Sequence, residues 1–224
     1  MTDQPLQVDV VSDVMCPWCY IGKRRLEKAV EMADVALDLR WRPFQLDPTL
    51  PAEGKPREAY LAEKFGSPER AGELYANIKA AGEAEDIPFA FDRIQVSPNT
   101  LDAHRLIRWA ANAGPDVQGR AVEALFRAYF VEGRNIGDPS VLTAVAEGAG
   151  MDAALVAELL VGDADRDLVR QEVELAQQMG VTGVPTFIIA NRYAVIGAQA
   201  PRQLAQAFQL AAAQESVNDN APAE

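Results

Sequence analysis

The chain has 224 residues, with 33 acidic against 21 basic side chains, a net charge of −12, one histidine and two cysteines. That length can bury one large core or a domain with a sizeable insertion, and the negative charge repels nucleic acid and anionic membrane surfaces, so neither is expected as a partner. No apolar run approaches the roughly 18 residues of a membrane span, and the first five residues have neither a basic nor an apolar leader pattern, so a cytoplasmic location is expected.

Leu6-Gln7-Val8-Asp9-Val10-Val11 alternates in part and is rich in β-branched residues, which predicts a first strand ending at Ser12-Asp13. Both cysteines come directly after it, in Cys16-Pro17-Trp18-Cys19. From Trp18 to Ala33, Cys19, Gly22, Leu26, Ala29, Val30 and Ala33 oppose Lys23, Arg24, Glu27, Lys28 and Glu31, an amphipathic helix pattern. Cys16 then takes the cap position and Pro17 the first helical one, where a missing amide costs no helix bond. Helix positions i and i+3 lie roughly 5–6 Å apart and a disulfide spans Cα separations of about 4.4–6.8 Å, so a bridge here opens and closes with little backbone movement. Cys16 is expected to face solvent, with Cys19 tucked behind it.

Alternation returns over residues 36–42, and Pro43, Pro48 and Pro51 interrupt regular structure beyond it. Strand, helix and strand in this order make a βαβ unit with a parallel pair. Residues 45–180 read mostly as helices, over 57–65, 68–85, 98–113, 117–131, 139–149, 152–161 and 165–179. Ser67-Pro68, Ser97-Pro98 and Asp138-Pro139 supply cap and first-turn signals. So long a stretch is no loop; it predicts an inserted helical domain over 45–180, with 1–44 and 181–214 forming the domain around it. Strands resume at 185–190 and 193–196 as a hairpin turning at Asn191-Arg192, a helix runs from Pro201 to about Ala213, and the polar tail over 215–224 is expected to lack structure.

Reducing compartments disfavour structural disulfides, which points the cysteine pair toward redox chemistry. A structural bridge or half of a zinc site stays open, although His104 and carboxylates are the only further ligands for zinc. Exchange needs a thiolate that attacks a disulfide sulfur. At the helix start Cys16 faces unpaired amides and the positive end of the dipole, which favour its thiolate, and Cys19 would resolve the mixed disulfide. Pro17 fixes φ and removes an amide; Trp18 adds apolar surface and one N–H but no titratable charge. Asp13 is a proton acceptor for Cys19, a carboxylate that raises the thiol by repulsion, or a plain turn former. His104 is a structural histidine or an acid–base group, and Asn99 a helix cap by default. Phe126, Tyr129 and Phe130 form a stripe that is either core or a peptide-binding surface.

The element order, with Cys-x-x-Cys opening the first helix, resembles the thioredoxin fold in its DsbA-like form. Ser12-Asp13-Val14-Met15-Cys16-Pro17-Trp18-Cys19-Tyr20-Ile21-Gly22-Lys23 is similar to the FrnE-like branch of DsbA-family oxidoreductases. So are Asn99-Thr100-Leu101-Asp102-Ala103-His104-Arg105-Leu106, Phe130-Val131-Glu132-Gly133-Arg134-Asn135-Ile136-Gly137-Asp138 and Gly180-Val181-Thr182-Gly183-Val184-Pro185-Thr186-Phe187. The resemblance covers roughly residues 8–208. It implies an α/β thioredoxin-like fold with a large inserted α-helical domain, and a cis Val184-Pro185 loop beside Cys16 whose backbone pairs with an extended substrate. It also places Asn99 and His104 near the site as substrate contacts.

By the same resemblance the chain is a thiol-disulfide oxidoreductase or isomerase acting on protein or small-molecule disulfides. It needs no metal or other cofactor, and glutathione or another thiol serves as reductant. The second cysteine pair of some members is absent, and Trp18 stands where strongly oxidising relatives carry histidine, so a more reducing potential is expected. Two further readings remain. One is a glutathione-dependent isomerase or transferase of the 2-hydroxychromene-2-carboxylate isomerase or kappa class, whose members typically carry serine at the position of Cys16. The other is a chaperone-like binding module whose cysteines only sense redox state.

Overall fold

The first strand, β1 (Leu6–Ser12), alternates only in part because both its faces are covered. Val8 and Val10 enter the main core, while Val11 packs on the opposite side with Phe44, Ala176 and Val181. In this computed structural model, which describes residues 4–219, α1 (Pro17–Ala33) comes next, with Cys16 extended at its cap and Asp34 left-handed (φ 51°) at its end. Strand β2 (Leu37–Pro43) pairs parallel with β1 from Leu6 opposite Leu37 to Ser12 opposite Pro43, as the βαβ reading requires.

The helices of the long middle segment lie between β2 and the returning strands. They are α2 (Arg57–Phe65), α3 (Pro68–Glu83), α4 (Leu101–Asn112), α5 (Pro115–Phe130), α6 (Pro139–Ala149), α7 (Ala153–Val161) and α8 (Arg166–Gln178). Ser67, Asp138 and Asp152 cap their helices through side-chain oxygens that accept first-turn amides. Ser97 does not. Its backbone is spent in a two-residue ladder between β3 (Lys55–Pro56) and β4 (Val96–Ser97), so α4 begins at Leu101 rather than at Pro98.

Strand β5 (Thr186–Ile189) runs antiparallel to β1, and β6 (Tyr193–Ile196) pairs with β5, giving the order β2-β1-β5-β6. The hairpin turns at Ala190 and Asn191, both left-handed (φ 51° and 55°), one residue earlier than expected, with the Arg192 amide donating to the Ile189 carbonyl at 3.0 Å. The last helix, α9 (Pro201–Asp219), continues past the predicted end at residue 213. Contacts across the fold explain the extension: the Tyr193 hydroxyl donates to Gln214, and Arg192 pairs with Glu215 at 2.9 Å. Of the tail expected to lack structure, residues 215–219 are therefore helical, and 220–224 lie outside the described residues.

One apolar core runs from the sheet into the helical segment, joining Val8, Ile21 and Phe187 to Leu106, Leu125 and Phe126. Phe126, Tyr129 and Phe130 are all fully buried in it, so the stripe is core and not a peptide-binding surface. Tyr20 carries α1 into that cluster by stacking on Phe126, with ring centroids 5.0 Å apart.

Ion pairs tie α1 to the segment packed on it. Glu85, just after α3, accepts from Arg25 Nε and Lys28 Nζ, each at 2.7 Å. Burial alone would raise this carboxyl, but the hydrogen bonds and charges of Lys28 and Arg25 hold it below its ordinary 4.5. A carboxyl depressed by folding stabilises above its unfolded value and loses that contribution as pH falls through the folded one. Glu85→Gln should therefore lower the urea midpoint at neutral pH, and the gap from wild type should shrink on acidification. A gap that stayed constant with pH would mean that the charge is not what matters.

Candidate active site

Three segments meet at the head of α1: the turn that leaves β1, the loop that leaves β2 and the loop that enters β5. Cys16 and Cys19 are both free thiols. Contrary to the expectation of a solvent-facing Cys16, it is only 5% exposed, at the edge of the main core and with the Val184 carbonyl oxygen 3.8 Å from its Sγ. Trp18, 39% exposed, is the open member of the motif, while Cys19 is 1% exposed on the inner face of α1. Burial pushes the Cys19 thiol well above its ordinary value, and hydrogen bonding to Cys16 and its charge add to the shift; the Ser12 hydroxyl and the Asp13 backbone oppose it. The pair is asymmetric in place: Cys16 heads α1 and Cys19 lies one turn behind it on the inner face.

Asp13 is fully buried and organises the turn. Its Oδ1 accepts from the Met15 amide at 3.3 Å, its Oδ2 from the Leu46 amide at 2.7 Å, and its carbonyl from the Cys16 amide at 3.0 Å. Of the roles open in the sequence, the turn former is the one this geometry displays. The same carboxylate lies 3.4 Å from His104 Nε2, outside hydrogen-bond geometry. His104 is 3% exposed on α4, so it reaches the floor of the site rather than its mouth. Asn99 is committed elsewhere: its Oδ1 accepts from the Leu101 amide at 2.9 Å and from Gln45 at 3.2 Å, and its Nδ2 donates to the Leu50 carbonyl at 2.6 Å. It takes the first amide of α4 from one residue outside the cap position, which Thr100 holds, and ties down the loop after β2.

The Val184-Pro185 peptide is cis, as the resemblance implied. Pairing of β1 with β5 stops at Val11 opposite Thr186, so Val184 lies beyond the last paired residue and beside Cys16. The loop is held by Thr186 Oγ1 donating to Gly183 O at 2.8 Å and by the Gly197 amide donating to Pro185 O at 2.7 Å. Helix α1 packs flush against it, and a Cβ on Gly22 would sit 2.7 Å from Pro185 Cγ. Gly22→Ala should cost about 1–3 kcal/mol in urea unfolding and, by displacing the loop from Cys16, slow exchange at the site by roughly 10- to 100-fold. Exchange at the wild-type rate in a variant with the lowered midpoint would separate packing from chemistry and refute the second effect.

Two residues of the site, Ser12 and Gln45, do not stand out in the sequence. The signal for Ser12 was the alternation Val8, Val10, Ser12, which turns a hydroxyl toward the core face. Gln45 offered none, since its partner Asn99 lies 54 residues away. Among the described residues no three His, Cys, Asp or Glu side chains gather closely enough to hold a metal ion.

Residues 7–209 match the family model of the DSBA-like thioredoxin domain. The chain is 30% identical over 189 residues to the uncharacterized protein YwbO of Bacillus subtilis (strain 168), covering 83% of this chain and 88% of that one. Its fold is similar to the crystal structure of the probable DsbA oxidoreductase SCO1869 of Streptomyces coelicolor, at 32% identity, a TM-score of 0.84, and coverage of 98% and 93% of the two chains. It is also similar in fold to the cytosolic disulfide reductase DsbM of Pseudomonas aeruginosa solved with GSH, at 22% identity, a TM-score of 0.63, and coverage of 96% and 100%.

Proposed function

The chain belongs to the DSBA-like thioredoxin domain family, and from that premise we propose that it is a cytoplasmic thiol-disulfide oxidoreductase, with disulfide isomerisation within its range. Cys16 attacks one sulfur of a protein or small-molecule disulfide and the other substrate sulfur leaves as thiolate. Cys19 then attacks Cys16 Sγ, releases the second substrate thiol and leaves a Cys16–Cys19 bridge that glutathione or another thiol reduces. The observation that carries this reading is the asymmetry of the pair: Cys16 heads α1 beside the Val184 carbonyl at 3.8 Å, with Cys19 buried one turn behind it. The unpaired backbone of Val184 suits an extended substrate segment, docked as an added strand. The similarity to a cytosolic disulfide reductase solved with GSH supports both the compartment and the reductant. Trp18 brings no charge to the thiolate, so a more reducing potential than that of strongly oxidising relatives is expected.

Catalysed reduction of insulin disulfides, and recovery of activity by scrambled ribonuclease in a glutathione buffer, are the expected results. A protein that suppresses aggregation but does neither would be a redox-sensing binding module instead.

A further inference from the structure

Cys19 can act as resolving thiol only if its proton leaves a site that is 1% exposed. Ser12 Oγ, which interacts with the Cys19 thiol, and His104 Nε2 are both buried, and neither makes a hydrogen bond of good geometry among the described residues. Both residues line one small cavity, together with Val14, Trp41, Arg42, Ile107 and Val122. Its volume of about 10 Å³ and its polar walls, Ser12, His104 and Arg42, suit a single bridging water. On its other side His104 lines a second cleft of about 180 Å³ bordered by Arg42, Arg108 and Glu172, whose side chains are 42%, 34% and 29% exposed. Ser12 thus adjoins both the thiol and the cavity, and His104 lines both the cavity and the cleft.

We infer that Ser12 and His104 form the proton path of the resolving thiol. As Cys19 Sγ attacks the Cys16–substrate disulfide, its proton passes by the Ser12 hydroxyl and one water to His104 Nε2, the substrate thiolate leaves, and the imidazolium releases the proton through the cleft. Reduction of the bridge runs the same path backwards. Asp13 of the β1–α1 turn lies 3.4 Å from Nε2. Arg42 of β2, Arg108 of α4 and Glu172 of α8, which pairs with Arg108, also face His104, and α5 presents the uncharged Gln118 and Val122. His104 is a relay residue: it acts on Cys19 through Ser12 and never touches substrate. The inference rests on the proposed roles of Cys16 and Cys19.

Single-turnover mixing of the reduced full chain with a nitrobenzoate disulfide, whose released thiolate is coloured, separates the two steps. The first equivalent reports attack by Cys16 and the second resolution by Cys19. His104→Gln should leave the first phase within about twofold of wild type and slow the second about tenfold or more at neutral pH. The deficit should close as pH rises, because hydroxide then deprotonates Cys19 unaided. Ser12→Ala should reproduce the defect and Ser12→Thr restore the rate, and that pair carries the test alone should His104→Gln not fold. A normal second phase in both His104→Gln and Ser12→Ala, or one slowed equally at every pH, would overturn the relay alone. A wild type without a first phase would overturn the oxidoreductase reading beneath it.

Discussion

Cys16→Ser is expected to lose disulfide-reducing turnover by about a thousandfold or more while keeping the fold. A serine hydroxyl stays protonated at neutral pH and is a poor nucleophile toward sulfur, and Cys19, buried behind it, cannot reach a bulky substrate in its place. The structural cost is small. The contact of Cys16 with the Val184 carbonyl is long, at 3.8 Å, and a hydroxyl fits the same space. Insulin reduction together with near-ultraviolet circular dichroism checks both halves. Glutathione-dependent turnover of a small aromatic substrate that survived Cys16→Ser would instead favour the isomerase or transferase class.

Arg105→Met is expected to destabilise the protein by about 3–5 kcal/mol, lowering the thermal midpoint by roughly 6–20 °C for a chain of this size. Arg105 is fully buried, yet it is a hub of hydrogen bonds rather than an uncompensated charge. Its Nε donates to the Ala164 carbonyl and its Nη2 to the Leu159 and Gly162 carbonyls, all at 2.7 Å, while Nη1 pairs with Asp102 at 2.9 Å. The guanidinium also lies 4.9 Å from the Trp109 ring centroid. Leu159 and Gly162 stand at the end of α7, where carbonyls lack intrahelical partners, so Arg105 finishes that helix from α4. Methionine fills much of the volume but strips the Leu159, Gly162 and Ala164 carbonyls of their donor and the partly buried Asp102 of a charge partner. Arg105→Lys should recover only part of the loss, because an ammonium cannot reproduce the planar fork. Chemical denaturation with an unchanged urea slope would register the effect, and a loss below about 1 kcal/mol would show that the carbonyls find other donors.

The residues that announced themselves in the sequence act through near neighbours. Cys16-Pro17 opens α1, Ser67 and Asp138 cap their helices, and Val8 and Val10 turn to the core, all within a reach of four residues along the chain. The features that stayed unreadable depend on partners far away in the sequence. Cys16 meets a carbonyl 168 residues on, Arg105 serves carbonyls up to 59 residues away, and α9 gains its last turns from the β5–β6 hairpin. Ser97-Pro98 carried a sound local helix signal that the ladder with Lys55 overrode. The family resemblance recovered the Val184-Pro185 loop, but not Ser12, whose position matters only because α4 brings His104 to the same cavity.

The roles of Cys16 and Cys19 are tested most directly by trapping. Reduced Cys19→Ala protein, mixed with a disulfide-linked peptide and quenched with acid, is read by intact mass and then by the position of the linkage. One adduct per chain, joined to Cys16 and persisting because no resolving thiol remains, is the expected result, with wild type retaining none. No adduct under conditions where wild type turns over would contradict the assignment of Cys16 as attacker and Cys19 as resolver.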